Sequence, residues 1–229
     1  FSSGLGGDVI HLIQNIKGLE FLEAIKEVLE IEGSIIDSIS FDVSQISKRD
    51  ENKRKIQVID VKEVENLRLI KYLSSRRIDL ELARLWIKEV YYSVNGMTYY
   101  ALGFMNDSGG FELRNPLGFK GKTKNGITTI SSGNTKAITI FEGFFDFLSA
   151  LMHFKCEYPR YTTYILNSTV NYPLVLKNLS THNVVYSFLD NDRSGQNVIQ
   201  NFANSRIAVR NVSSELFPNF KDFNEFLVG

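Results

Sequence analysis

Ala137-Ile-Thr-Ile-Phe-Glu-Gly-Phe-Phe-Asp146 is the stretch on which the fold turns. A short apolar run ends in Glu142, a glycine follows, and a second acid stands three residues after the glycine. Val184-Val-Tyr-Ser-Phe-Leu-Asp-Asn-Asp-Arg-Ser-Gly195 repeats the plan, with a buried-looking run ending in Asp190 and Asp192. Strand-like runs lie at 137–141, 163–167, 183–189 and 206–212, and a plausible helix follows each of the first three. The strand ends Glu142, Asn167 and Asp190 are 25 and 23 residues apart, which is the rhythm of βαβ units building a parallel sheet. Runs as apolar as Val184–Leu189 need cover on both faces, which the helices supply. Ligands of such sheets gather beyond the carboxyl ends of the strands. The three strand ends are therefore expected on one rim.

Carboxylate oxygens are the natural ligands of Mg²⁺, which keeps several waters and binds substrate phosphates. Several converging carboxylates repel one another unless a cation sits among them. Asp146 falls one helical turn beyond Glu142, where it could accept a hydrogen bond, cap the helix or bind an ion. Asp190 and Asp192 straddle one residue, so both can turn toward the same ion. Gly143 is expected to let the chain turn sharply and a phosphate approach the backbone. Ser194-Gly195 opens a helix whose N-terminus favours anions.

The preceding stretch has another period. Val90, Tyr91, Tyr92 and Val94 lead into Asn95-Gly96, and Thr98, Tyr99, Tyr100, Leu102 and Phe104 follow. Asn-Gly between two β-rich runs is a strong hairpin signal. A second turn at 106–110 precedes Phe111–Arg114, which completes a small antiparallel meander. Residues 113–136 hold Arg114, Lys120, Lys122, Lys124 and Lys136 and no acid, a composition suited to phosphate groups. Upstream, residues 63–88 read as two helices, one with Leu67, Ile70 and Leu73 on its apolar face, the other with Leu80, Leu82, Ala83, Trp86 and Ile87. The charge run 48–55 (K-R-D-E-N-K-R-K) reads as a solvated linker. Asp8 caps a first amphipathic helix that Gly18 ends, and a second helix carries Phe21, Leu22, Ile25 and Leu29.

The 229 residues suffice for one or two cores. A hydrophobic share of 43% excludes disorder. Equal numbers of basic and acidic residues (26 each) leave the question of nucleic acid to local charge. No apolar run approaches the roughly 20 residues of a membrane span, and the first ten residues lack the pattern of a secretory signal. Cys156 is the only cysteine, so no internal disulfide forms and a cytoplasmic location fits. Cys156 and His153 are spaced to share a helix face, but a core thiol and a surface histidine are the expectation.

The two acidic segments, in this order and at this spacing, resemble the Toprim domain, the fold shared by topoisomerases, bacterial-type primases, some nucleases and a recombination mediator. The likeness covers about residues 135–229. It implies that Glu142 acts as general acid or base or as a metal ligand, and that Asp190 and Asp192 bind Mg²⁺ (or Mn²⁺) and take part in catalysis. Asp146 and Asp222 complete the expected metal set.

Three further segments resemble bacterial-type DNA primases. F-S-S-G-L-G-G-D-V-I with K-G-L-E-F-L-E-A-I resembles the tail of their zinc-ribbon domain. Ser3 stands where the final cysteine would be, and any earlier ligands would lie before Phe1. With Cys156, His11, His153 and His182 alone, no zinc site of that kind can be built here. Tyr72–Ile78 (Y-L-S-S-R-R-I) resembles a Y-L-x-x-R-G-I element, with Arg77 replacing the glycine. G-F-M-N-D-S-G-G-F-E-L-R-N resembles the segment whose cations flank the metal site. Arg114, Lys120 and Lys122 are carried over as nucleotide- or nucleic-acid-binding residues, and Asn167 joins them on the rim. The third acidic segment of primases reads G-x-D-P-D. Here Asp222 matches its first acid and Asn224 replaces the second, which puts a full second metal site in doubt.

The resulting expectation is an α/β chain: a Toprim-like parallel sheet flanked by helices (135–229), preceded by a small α+β basic subdomain (63–134), a linker (35–62) and an N-terminal helical segment (1–34). The resemblance implies a nucleotidyltransferase acting on single-stranded DNA and nucleoside triphosphates, with a helicase or relaxase as partner, in replication or transfer of a mobile element such as a bacterial plasmid. A topoisomerase would need a nucleophilic tyrosine on a large separate domain, a recombination mediator would need internal zinc cysteines, and an ATPase-linked nuclease would need a P-loop. The sequence has none of these. A small Toprim nuclease and a non-catalytic DNA-binding accessory protein remain as alternatives.

Overall fold

The computed structural model describes residues 56–134, 136–179 and 184–229. The N-terminal helices, Ser3, the charge run at 48–55 and His182 lie outside the described residues.

The chain begins with an edge strand, β1 (Gln57–Lys62), that pairs antiparallel with β2 (Ile87–Val94) through a register shift between Val58 and Asp60. Residues 57–62 were expected to end a linker, and the structure corrects this: their alternating β-branched residues satisfy a sheet edge. Between these strands lie the two expected helices. Helix α1 (Leu67–Ser75) is capped by Asn66, whose Oδ1 accepts from the Arg68 N–H at 2.9 Å. Helix α2 (Leu80–Trp86) is capped by Asp79, which accepts from Leu82 N–H at 3.0 Å. The apolar face of α1 differs from the expected one. Leu67 is 73% exposed, whereas Leu69 and Leu73 are buried. Ile87, read as helical, opens β2, because the chain leaves the helix to enter the hairpin.

That hairpin is as the sequence specified. Strand β3 (Met97–Met105) pairs with β2 across Asn95-Gly96, with φ of 52° and 79°. Both values fall in the left-handed region that a type I′ turn requires. Strands β4 (Phe111–Arg114) and β5 (Lys120–Lys122) extend the sheet in the order β1-β2-β3-β4-β5, all antiparallel.

The second sheet has the order β10-β9-β7-β8-β6. Strands β7 (Ile138–Phe141), β8 (Thr162–Ile165), β9 (Val185–Phe188) and β10 (Val209–Asn211) run parallel, and β6 (Thr128–Ile130) adds an antiparallel edge beside β8. Residues 128–130, expected in the basic subdomain, thus belong to the Toprim-side sheet. Helix α3 (Phe144–His153) follows β7, α4 (Leu176–Leu179) precedes β9, and α5 (Arg193–Asn204) follows it. Helices α6 (Val212–Leu216) and α7 (Phe223–Val228) close the chain. Cys156 lies past the end of α3 and is exposed, so it is no core thiol. No described helix is long and apolar enough to cross a membrane.

One core joins the two sheets. Leu69, Leu73, Ile87, Leu102 and Phe104 pack in the same cluster as Phe141, Phe144, Phe147, Phe188 and Phe223. Phe104 stacks on Phe144 at 5.3 Å, and Trp86 meets Phe147 edge-on at 5.0 Å. This cluster holds the basic meander against the carboxyl ends of the parallel strands. A second cluster, on Ile138, Ile140, Val185, Val198 and Phe202, fills the other face of the parallel sheet.

Candidate active site

Three of the four parallel strands deliver a polar residue where their pairing ends. Glu142 follows β7, Asn167 follows β8 and Asp190 follows β9. The N-cap of α7 adds Asp222, whose carboxylate accepts from the Glu225 N–H at 2.7 Å. A pocket of about 160 Å³ is lined by four carboxylates, Glu142, Asp146, Asp190 and Asp222, by Arg76, Arg114, Lys120 and Lys221, and by Asn167. Seven of the nine sequence-derived site residues therefore meet in one place. Asp192 stands at its edge and Lys122 outside it.

The carboxylates are crowded and poorly solvated. Burial, then repulsion from Asp190 and Asp192, pushes Glu142 up to about 7, against a hydrogen bond from the Asp190 backbone. Burial and the neighbouring Asp222 push Asp190 up to about 6. Asp146 is buried on α3. Burial holds its carboxyl well above the ordinary range, and Asp222 and Asp190 push the same way. The Asn224 N–H donates to it, at 3.4 Å. Glu142 Oε2 is buried and has no hydrogen-bond partner, an acceptor left over for something outside the chain.

Asp192 is occupied differently from the expectation. Its Oδ1 caps α5, accepting from Ser194 N–H at 2.9 Å and Gly195 N–H at 3.1 Å. Its Oδ2 lies 3.5 Å from Lys221 Nζ. Gly195 is forced by proximity, since a Cβ there would stand 2.1 Å from the Asp190 carbonyl oxygen. Gly143 is not a left-handed turn, since its φ is −131°. A Cβ there would meet Asp146 Oδ2 at 3.2 Å, so room beside the acid is what this glycine provides.

The cations are positioned by the first sheet and α1. Arg114 ends β4, donates to the Leu113 carbonyl at 2.9 Å and lies over the Phe144 ring at 5.7 Å. Burial pulls it below the ordinary guanidinium range. Lys120 opens β5 opposite Arg114. Lys122, two residues on, pairs with Asn125 Oδ1 at 2.6 Å instead of facing the pocket. Asn167, with φ of 59°, spends its amide N–H groups on Gly126 O (3.0 Å) and Thr128 Oγ1 (3.2 Å), and keeps a buried Oδ1 without a partner.

Sequence reasoning missed three contributors. Arg76 lies in the Y-L-S-S-R-R-I segment, whose resemblance does not by itself assign Arg76 to the site. Its guanidinium stands 5.5 Å from the Tyr72 and Phe145 rings and donates to Asn224 Oδ1 at 3.0 Å. Asn224 returns the contact, donating to the Arg76 carbonyl (3.0 Å) and to Ser149 Oγ (2.8 Å). The position that departs from the primase pattern is thus a buried latch whose amide donors a carboxylate lacks. Asn191, hidden between the two aspartates, receives its place from Phe217 O and Phe220 O (3.0 Å each), while its N–H donates to Lys221 O at 2.7 Å. Lys221 is the third, and the flanking K-D pair was its signal. Burial lowers its ammonium, but Asp190 and Asp192 outweigh this and raise it.

The donor set suits Mg²⁺ in its chemistry: hard carboxylate oxygens, one of them free. Its spacing does not yet grip an ion. Among the described residues no three His, Cys, Asp or Glu side chains stand close enough together to hold a metal.

Comparison with known proteins agrees with this architecture. Residues 139–227 match the Toprim-like family, and residues 58–124 match a domain of unknown function (DUF8464). No curated protein matches the chain. Among solved structures, the zinc-binding and RNA polymerase domains of the Aquifex aeolicus primase align at 16% identity with a TM-score of 0.52, over 98% of this chain and 68% of that one. The primase fragment of the bacteriophage T7 primase-helicase aligns at 17% identity with a TM-score of 0.45, over 67% of this chain and 66% of that one. At these identities the likeness is one of fold. The DUF8464 match starts within β1 and spans the first sheet, so the meander and the parallel sheet are separate sequence units sharing one core. Residues 139–227 form a Toprim-like domain, in a chain with a primase-like fold.

Proposed function

We propose that the chain is a primase-type nucleotidyltransferase that joins nucleotides on a single-stranded DNA template with the help of Mg²⁺ or Mn²⁺. The observation that carries this reading is that four carboxylates and Arg76, Arg114 and Lys120 line one pocket. The cations suit a triphosphate, and the carboxylates suit the ion that accompanies it. The divalent ion, when bound, would neutralise charge on the reacting phosphates. Glu142, Asp190 and Asp222 would hold it, with Asp146 behind them and Asp192 fixing the loop and offering Oδ2. Arg76, Arg114 and Lys120 bind and orient the triphosphate. The oxygen of the attacking hydroxyl bonds to the α-phosphorus as pyrophosphate departs, and its proton passes to solvent. Asn167 Oδ1 accepts from a sugar hydroxyl or base amine at the rim. Lys122, outside the pocket, meets the template backbone. The resemblance extends the setting to replication or transfer of a mobile element, with a helicase or relaxase as partner.

The test is template-directed oligoribonucleotide synthesis on single-stranded DNA with Mg²⁺ or Mn²⁺. Product is expected, and Glu142→Gln should lower its rate by about a hundredfold or more. Cleavage of DNA or RNA in place of synthesis, lost in Glu142→Gln, would assign a nuclease. Salt-dependent binding of single strands without turnover would assign an accessory protein. No binding at all would remove nucleic acid from the proposal.

A further inference from the structure

The acidic rim already holds a cation, and the cation belongs to the chain. Lys221 precedes the N-cap of α7, and its Nζ lies 3.6 Å from Asp190 Oδ2 and 3.5 Å from Asp192 Oδ2. It bridges the two aspartates of the same loop. The root of its side chain is fixed. The Lys221 N–H donates to Glu225 Oε2 at 2.5 Å, and its carbonyl accepts from Asn191 N–H at 2.7 Å. The tip is open to solvent, since the side chain is 57% exposed. Lys221 also borders a second groove, of about 580 Å³, between the end of α1 and α7, where Ser75 and Glu225 line the wall. A flexible four-carbon stem can carry its ammonium from the rim into that groove without moving the backbone.

The rest of the rim is consistent with a place shared by two claimants. Glu142 Oε2 is buried without a partner, so the ammonium does not serve every carboxylate as a divalent ion would. Asp190 and Asp192 hold to Lys221, and among the described residues no three carboxylates stand close enough to hold a metal. Two cations a few ångströms apart repel, and both would claim the same oxygens of Asp190 and Asp192. An ion that draws in Asp190 and Asp192 must therefore expel the ammonium.

We infer that Lys221 is a built-in counter-ion that competes with the divalent metal for Asp190 and Asp192, so that the ion loads only as the ammonium leaves the rim. This rests on the metal reading of the rim given above. Reciprocity gives a corollary: an anion that offers the displaced ammonium a new partner tightens the metal, and the metal tightens the anion.

The test is Mn²⁺ binding to the full chain, read from the paramagnetic resonance of free Mn²⁺, for wild type, Lys221→Met, Lys221→Arg and Glu142→Gln. Lys221→Met is expected to bind Mn²⁺ at least about tenfold more tightly than wild type. Its metal-free thermal midpoint should fall, while its Mn²⁺-saturated midpoint should not. Lys221→Arg keeps the charge and should stay near wild type. If Lys221→Met binds no more tightly while Glu142→Gln loses the ion, competition is refuted and the metal reading stands. If neither wild type nor Lys221→Met binds Mn²⁺, both fall.

Discussion

Glu142 and Asp190 are carboxyl groups whose proton affinity folding has raised, to about 7 and about 6. Between the unfolded and folded values the native state binds more protons, so stability is greatest at low pH within that window and declines as pH rises through it. Without metal, the thermal midpoint is expected to fall between about pH 4 and pH 7. Glu142→Gln should flatten the upper part of that fall, and a pH series of melts in chelator checks this. Asn224 makes a second prediction at this scale. Its amide donates to Arg76 O and Ser149 Oγ, and Asp146 lies against its backbone. Asn224→Asp, which would recreate the primase pattern, should destabilise the protein by about 2 kcal/mol or more, from two lost donors and a new charge beside a buried acid. Denaturant titration would read it. Residue identities made Glu142, Asp146, Asp190 and Asp222 legible in the sequence, since strand ends and acids can be counted. Arg76, Asn191 and Asn224 were not legible. Their partners are backbone carbonyls or side chains that are up to 148 residues away, and no local pattern marks such contacts. Arg77 shows the reverse case. It sits at φ 53°, where the related segment has glycine, and the departure now has a conformational meaning.

At the scale of elements, the turn into α5 is the most constrained part of the site. Gly195→Ala would drive a Cβ into the Asp190 carbonyl, a backbone clash that no rotamer relieves. The loop carrying Asp190 and Asp192 must shift, so Mn²⁺ affinity should fall by about tenfold or more alongside a loss of stability. The start of α1 depends on a distant strand. Buried Glu89 on β2 accepts from Glu65 N–H at 3.0 Å and Asn66 N–H at 2.7 Å. Burial opposes its charge, but Tyr91, these two N–H groups and Lys62 together hold it below its ordinary range. Glu89→Ala should therefore cost about 2–3 kcal/mol and lower affinity for triphosphate, because α1 ends in Arg76. Fluorescent-nucleotide binding would show the second effect. Element types were legible where period and turn chemistry agreed, as at Asn95-Gly96 and in the parallel runs. Strand β1 and the antiparallel edge β6 were not, since a short edge strand is recognised by the neighbour it pairs with more than by its own composition.

For the molecule as a whole, the shared core decides behaviour. Phe147 packs against Phe104 and Phe141 and meets Trp86, so it touches both sheets. Phe147→Ala should cost about 3–5 kcal/mol and shift the unfolding of both sheets together, which tryptophan fluorescence and far-ultraviolet dichroism would report as coincident transitions. The division expected at residue 134 is thus a boundary of sequence families more than of folding units. Sequence alone suggested two subdomains because periodicity changes there, and it could not register that their apolar faces meet. The order of the parallel strands has a further consequence. The chain leaving β7 crosses to β8 on one side and the chain leaving β9 crosses to β10 on the other, so a crevice opens between the ends of these two adjacent strands. The crevice is made by the path of the backbone and does not depend on the acids that line it. A lineage released from the need for chemistry could exchange those strained carboxylates for amides, keep the crevice and gain stability. Their retention in a descendant, against that gain, would be a record of selection for activity.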